Sequence, residues 1–271
     1  MAMQPGRVLI VAGSDSGGGA GIQADLKTVM ALGAYGTTAI TALTAQNTLG
    51  VEGVFPVDPA FIAQQMNVVL DDIGSDAVKI GMLHSAEVID AVADVLEARC
   101  GELPIIVDPV MVSTSGHDLL EPEAVRTLTR RMSLLADVMT PNLREAEKLT
   151  GLKINDLDGM VHAAEMLRTT GPQAVLVKGG HLEGDSVMRD VLSSDAGTRI
   201  FEGPRVETSS THGTGCTLAS AIAATLAYGL DLEEAVERAR AYLYTALRTA
   251  PGLGGGHGPV NHAHTLRPFM L

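Results

Sequence analysis

The stretch RVLIVAGSDSGGGAGIQADLKTVMALG, residues 7–33, decides the fold. Its opening, RVLIVAG (7–13), is a short apolar run bounded by glycine, which reads as a buried strand. Its close, GIQADLKTVMALG (21–33), puts Ile22, Leu26, Val29, Met30 and Gly33 on one helical face. A strand, a glycine-rich turn and a helix in that order open a βαβ unit. The turn GSDSGGGAG lacks the GxGxxG spacing of a dinucleotide site, and GxxxxGK[ST] occurs nowhere in the chain. Hydride transfer and P-loop chemistry are both disfavoured.

Outward from this unit the same rhythm repeats. Strands are expected at 35–46, 77–83, 104–110, 136–142 and 174–180. Helices are expected at 58–73, 85–100, 121–135, 157–171, 215–229 and 231–250, the last capped by Asp231. Such alternation predicts an α/β fold with a parallel, doubly wound sheet. Residues 187–208 break the rhythm: VMRDVLSS and TRIFEG, joined by DAGT, read as a hairpin. The glycine-rich tail has no period. No repeat or linker divides the chain, so residues 1–271 read as one domain.

Composition narrows the partners. A net charge of −13 with no Lys/Arg cluster argues against nucleic acid and anionic membranes. Any phosphate site must therefore be local. Trp is absent and aromatics are scarce, so the core must come from aliphatic residues and methionine. Cys100 and Cys216 stand outside any CxxC, which excludes a disulfide framework and a zinc pattern. The amino-terminal apolar run is too short for a signal peptide, and no stretch approaches a membrane span of ~20 residues. A reduced, cytoplasmic protein is the expectation.

In open α/β sheets ligands bind beyond the carboxyl ends of the strands. Gly13, Asp15, Gln46, Met82, Asp108, Asn142 and Lys178 all fall at or just past expected strand ends. HGTGC (212–216) runs directly into a small-residue helix. Glycines let successive N–H groups turn inward, and the helix adds its unpaired donors and positive dipole end, so the turn suits a phosphoryl group. A plain helix start is the competing reading. Cys216 sits where turn becomes helix, a position that lowers a thiol pKa and favours a thiolate base. Packing as a small apolar side chain is its alternative.

AGSDSGGGAGIQADLKT, TALTAQNT, DPVM, TPNLREAE, VKGGH, THGTGC and GHGPVNH occur in this order over nearly the whole chain. Together they resemble the hydroxymethylpyrimidine/phosphomethylpyrimidine kinases of thiamine biosynthesis, in the ribokinase-like superfamily. The resemblance implies a three-layer α/β/α domain with a mostly parallel central sheet, usually a homodimer. It implies ATP and Mg²⁺, and two successive phosphorylations of 4-amino-5-hydroxymethyl-2-methylpyrimidine. It assigns pyrimidine recognition to Gln46, a substrate-side acid to Asp25, and pocket walls to Gly13 and Met82. Asp108 and Glu145 resemble the acids near Mg²⁺, held through water; with Asn142 and Lys178 they would also contact the nucleotide phosphates. Gly213, Thr214, Gly215 and Cys216 match the anion hole, with cysteine where sugar kinases of the superfamily carry an aspartate base. Ser210 departs from a common asparagine. SDSGGGAG departs from a loop with a second serine before GGAG. Pyridoxal kinase, which shares the superfamily, is the alternative. His181 and His212 read as structural, and His257, His262 and His264 as incidental to a loop that closes near the site. The 187–208 hairpin and the 111–118 loop are candidates for a cover.

Overall fold

A computed structural model of the chain describes residues 4–113, 116–117, 119–180 and 187–266. Its nine strands are β1 (Arg7–Asp15), β2 (Tyr35–Gln46), β3 (Val51–Pro56), β4 (Ala77–Ile80), β5 (Ile105–Val107), β6 (Val138–Met139), β7 (Ala174–Lys178), β8 (Val187–Ser194) and β9 (Gly197–Pro204). They form one sheet in the order β3-β2-β1-β4-β5-β6-β7-β8-β9. From β2 to β7 neighbours run parallel; β3, β8 and β9 are antiparallel additions at the two edges. The expected hairpin is thus β8–β9, and it extends the sheet rather than covering the site. Residues 114, 115 and 118 of the other candidate cover, and His181, lie outside the described residues.

The helices are α1 (Gly21–Ala31), α2 (Pro59–Asp72), α3 (Ala86–Arg99), α4 (Pro122–Leu135), α5 (Leu143–Thr150), α6 (Leu157–Arg168), α7 (Thr214–Leu226) and α8 (Leu232–Arg248). Strand alternation sorts the two cores. In β1, Leu9 and Val11 face the layer of α2 to α6, while Val8, Ile10 and Ala12 face α1, α7 and α8. The three-layer α/β/α arrangement follows, because both faces of a parallel sheet must be covered.

Local chemistry sets the helix starts. Asp58, Ser85, Asp156 and Asp231 each cap a helix with a side-chain oxygen. Two details differ from the sequence reading. Met30 is 59% exposed, and the inner face of α1 carries Ile22, Ala24, Asp25, Thr28 and Val29 instead. The middle strands are shorter than their apolar runs, because residues such as Met82 and Asp108 leave the ladder and turn into the loops that hold the site.

Candidate active site

Glycine geometry joins three loops at the carboxyl end of β1. Gly213 has φ +78°, and a Cβ there would collide with the Gly19 carbonyl. Gly21 has φ +55°, and a Cβ there would strike the Gly13 carbonyl. The glycine loop of residues 16–20 and the HGTGC turn therefore touch backbone to backbone. A third segment joins them: His212 donates its N–H to the Gly258 carbonyl, 3.1 Å, and pairs with Pro259. GHGPVNH thus closes against the site, as expected.

Asp15 ties the loops together. Its carboxylate accepts N–H groups from Gly17 (2.7 Å), Gly19 (2.9 Å) and Ala20 (2.8 Å), and lies 2.9 Å from His212 Nε2. Burial works to raise its pKa, but the bonds from His212, Ala20 and Gly17 outweigh that and hold it below the ordinary value. The sequence reading placed Asp15 only at a strand end and gave His212 no part in the site. Their link spans 197 positions in the chain, so no local pattern announces it.

The expected pyrimidine pocket is partly assembled. A Cβ on Gly13 would lie 3.2 Å from Met82 Sδ, so these two residues are in contact. Thr41 fixes the Met82 backbone by donating to its carbonyl at 2.6 Å. Gln46 ends β2 with its side-chain amide 3.2 Å from both His212 Nε2 and Thr44 Oγ1.

Asp25 is the clearest departure. It has no exposed surface: one oxygen receives Lys79 Nζ at 2.9 Å and the other Ser220 Oγ at 2.7 Å. It is not open to a substrate. Lys79 is equally buried. Burial would discharge it, but the carboxylates of Asp25 and Asp108 keep it protonated. Sheet alternation explains the placement, since Val78 and Ile80 face the other layer and send Lys79 toward α1 and α7. The sequence signal was a lone charge inside the strand AVKI.

The phosphate end gathers the remaining residues. Lys178 Nζ donates to Asp108 Oδ1 at 2.7 Å, and Thr140 Oγ1 donates to the same oxygen at 3.2 Å. A Cβ on Gly215 would lie 3.1 Å from Lys178 Nζ and 3.2 Å from Asp108 Oδ2, which seats the first turn of α7 on this pair. Asn142 and Glu145 form a reciprocal capping box on α5. Glu145 is only 6% exposed. Burial pushes its pKa up to about 7, with Lys178 opposing and Asp108 adding to the rise.

Cys216 lies in the first turn of α7, one turn before Ser220 and on the same face. The Gly21 N–H, at the start of α1, is close enough to lower the thiol pKa slightly. The expectation of a lowered thiol pKa is overturned. Burial pushes the thiol up to about 12, and Lys79 and the Gly21 N–H offset this only in part. Cys100 is wholly buried at the end of α3.

Two carboxylates beside a lysine and a helix N-terminus fit a divalent ion held largely by nucleotide phosphates and water. Among the described residues no group of three acids, histidines or cysteines could hold a metal by itself. Two of the tail histidines pack inward: His262 Nε2 meets Thr217 Oγ1 at 3.0 Å, and His264 sits against Tyr242 with ring centres 4.6 Å apart and planes tilted by 39°. No helix among the described residues is long and apolar enough to cross a membrane.

Comparison with known proteins agrees with this geometry. The thiamine biosynthesis bifunctional protein ThiED of Geobacter sulfurreducens is 54% identical over 95% of this chain, which spans only 52% of that longer protein. The hydroxymethylpyrimidine/phosphomethylpyrimidine kinase of Rhizobium meliloti is 52% identical, over 94% of this chain and 96% of its own length. Among solved structures, phosphomethylpyrimidine kinase from Clostridium difficile 630 superposes with a TM-score of 0.79 at 43% identity, over 88% of this chain and 98% of its own. Pyridoxal kinase from Staphylococcus aureus in complex with ADP gives 0.89 at 35% identity, over 97% and 95%. Both confirm a ribokinase-like architecture. The family described as phosphomethylpyrimidine kinase matches residues 15–261, and the chain belongs to it.

Proposed function

We propose that this chain transfers the γ-phosphate of ATP to the 5-hydroxymethyl group of 4-amino-5-hydroxymethyl-2-methylpyrimidine, and then phosphorylates the monophosphate, in thiamine biosynthesis. One observation carries the reading. Met82 meets Gly13, Gly13 meets Gly21 at the end of the glycine loop, and Gly19 of that loop meets Gly213, so close contacts link the pyrimidine pocket to the α7 turn, which rests on Lys178 and Asp108.

Phosphoryl transfer needs positioning and charge stabilisation more than covalent help. The N–H groups of Gly213, Thr214, Gly215 and Cys216 face the phosphoryl group, backed by the α7 dipole. Lys178 supplies a fixed cation; Asn142 contacts the phosphates. Asp108 and Glu145 are the residues that would hold Mg²⁺, through water. There the ion would supply positive charge against the phosphates. Cys216 removes the hydroxymethyl proton as the base, acting through its minority thiolate, with charged Lys79 beside it. Gln46 reads the aminopyrimidine edge: its carboxamide can donate to a ring nitrogen and accept from the amine. Asp25 acts from behind the site, holding Lys79.

The nucleotide base is assigned to a cavity of about 390 Å³ lined by Met188, Phe201, Leu218 and Tyr244. It adjoins Asp190, the cross-strand partner of Lys178, and Leu218 lies two residues beyond Cys216. Residues 1–271 form one domain in this reading, in a cytoplasmic, homodimeric enzyme. The self-contact is assigned to edge strand β3, where Phe55 (70% exposed) pairs with exposed Leu43. Pyridoxal kinase remains the second reading because of the shared architecture, but pyridoxal offers Gln46 no aminopyrimidine edge.

The test is Cys216→Ala. Turnover should fall at least a hundredfold while calorimetric binding of the pyrimidine persists. Near-full turnover would end the catalytic assignment.

A further inference from the structure

The GHGPVNH segment (256–262) closes on the HGTGC turn but has no part in the mechanism above. Its last residue, His262, reaches α7 from the tail. The residue is 6% exposed, and burial, with Lys27 and His264 adding, pushes its pKa down to about 4, so the ring carries one proton at neutral pH. The place of that proton follows from Thr217. Thr217 Oγ1 lies 2.8 Å from the Gly213 carbonyl oxygen and 3.0 Å from His262 Nε2. A carbonyl only accepts, so the hydroxyl donates its one proton there, and His262 Nε2 must donate to the hydroxyl oxygen. The opposite order, a hydroxyl donating to a bare Nε2, would leave two oxygens 2.8 Å apart with no proton between them.

The relay ends on the peptide that opens α7. The Gly213 carbonyl also accepts the Thr217 N–H at 2.9 Å, so one residue engages both its lone pairs. Gly213 is the N-cap, at φ +78°, and no side chain caps the helix. A glycine there leaves the peptide plane easy to turn unless something holds it. The peptide is trans, so its N–H, that of Thr214, points opposite to the held carbonyl and out of the helix start. The far end of the brace is anchored on α8: Tyr242 Oη donates to the His262 carbonyl at 2.7 Å, and the Asn261 N–H to the Ala246 carbonyl at 3.0 Å.

We propose that His262 and Thr217 are positioning residues for phosphoryl transfer, which hold the Gly213 carbonyl and so aim the Thr214 N–H at the phosphoryl group. The inference rests on the reading of the α7 turn as the anion hole. GHGPVNH then braces that turn at two points, since the Gly258 carbonyl accepts the His212 N–H at 3.1 Å. Donation from His262 also strengthens the bond that the Thr217 hydroxyl makes to Gly213, because hydrogen bonds in a chain polarise one another. The brace acts on the transfer step rather than on binding of the pyrimidine.

The first test uses the unmodified protein. Long-range ¹H–¹⁵N correlation spectra should show a neutral His262 ring with its proton on Nε2; a proton on Nδ1 alone overturns the proposal. The second is kinetic. Thr217→Val, which keeps the shape and removes the hydroxyl, should lower the single-turnover rate of phosphoryl transfer to hydroxymethylpyrimidine about tenfold, the scale of one hydrogen bond, with the pyrimidine Kd changed less than about threefold. Thr217→Ser should keep the rate. His262→Leu should lower it by a similar factor, and His262→Gln, which returns an N–H near the Nε2 position, should recover most of it. His262 acts through the hydroxyl, so His262→Leu should add nothing in a Thr217→Val background; additive losses overturn the proposal. A lower melting temperature with an unchanged transfer rate, the mark of a merely structural brace, overturns it too. Gly213→Ala with unchanged turnover would instead sink the anion-hole reading itself, a distinct result.

Discussion

The thiol at position 216 yields the sharpest prediction, because its environment contradicts the simplest expectation for a helix N-terminus. With burial pushing the pKa to about 12, the thiolate is about one part in 10⁴ at pH 8 and one in 10² at pH 10. If Cys216 is the base, kcat should rise about a hundredfold across that window, with unit slope in a logarithmic plot. The window lies above the titration of Glu145, whose pKa is about 7, so the phosphate-side acid does not confuse the slope. Cys216→Asp substitutes a carboxylate ionised throughout, with an ordinary pKa of about 4, and should flatten the profile. The assay is coupled ADP release at saturating ATP, Mg²⁺ and pyrimidine, with circular dichroism confirming a folded protein at each pH. A flat wild-type profile, or a persistent slope in Cys216→Asp, would refute the thiolate mechanism.

Three further outcomes follow from the geometry. Gly213→Ala meets both a left-handed backbone and the Gly19 carbonyl, so kcat/KM should fall at least about a hundredfold by steady-state assay, as for a lost anion-hole donor. Lys79→Met leaves the buried Asp25 carboxyl without its ion partner and with only Ser220 beside it; urea unfolding should register a loss of about 3–5 kcal/mol, largely restored in Lys79→Met/Asp25→Leu. Asp15 has a depressed folded pKa, so its contribution to stability is complete above its unfolded value of about 3.9 and is lost as pH falls through the folded value. Asp15→Asn should remove that part of the acid dependence in thermal melts at pH 2 to 5.

The elements with strong local signals were legible in the sequence. The β1–loop–α1 unit, the β8–β9 hairpin and α8 with its Asp231 cap stand where the residues indicate. Edge strand β3 was missed because VEGVFP carries a glycine, a glutamate and a closing proline, and its ladder partner rather than its pattern makes it a strand. Among site residues, Gly13 with Met82 and Asp108 with Lys178 were brought together as expected. Others were illegible for a physical reason. The roles of Lys79, His212 and Asp15 exist only through contacts between distant segments, and the raised thiol pKa of Cys216 reflects burial that no local spacing encodes. Asp25 shows the converse: a motif position was recognised, yet the alternation of β4 and the face of α7 turn its carboxylate inward.

The most direct test of the account is ATP turnover by the purified protein with Mg²⁺, comparing hydroxymethylpyrimidine, its monophosphate and pyridoxal. Phosphorylated product from both pyrimidines, with pyridoxal poor, is the predicted result. Turnover of pyridoxal alone would contradict it, leaving the fold and the anion hole in place but removing the assignment of Gln46 and the pyrimidine pocket.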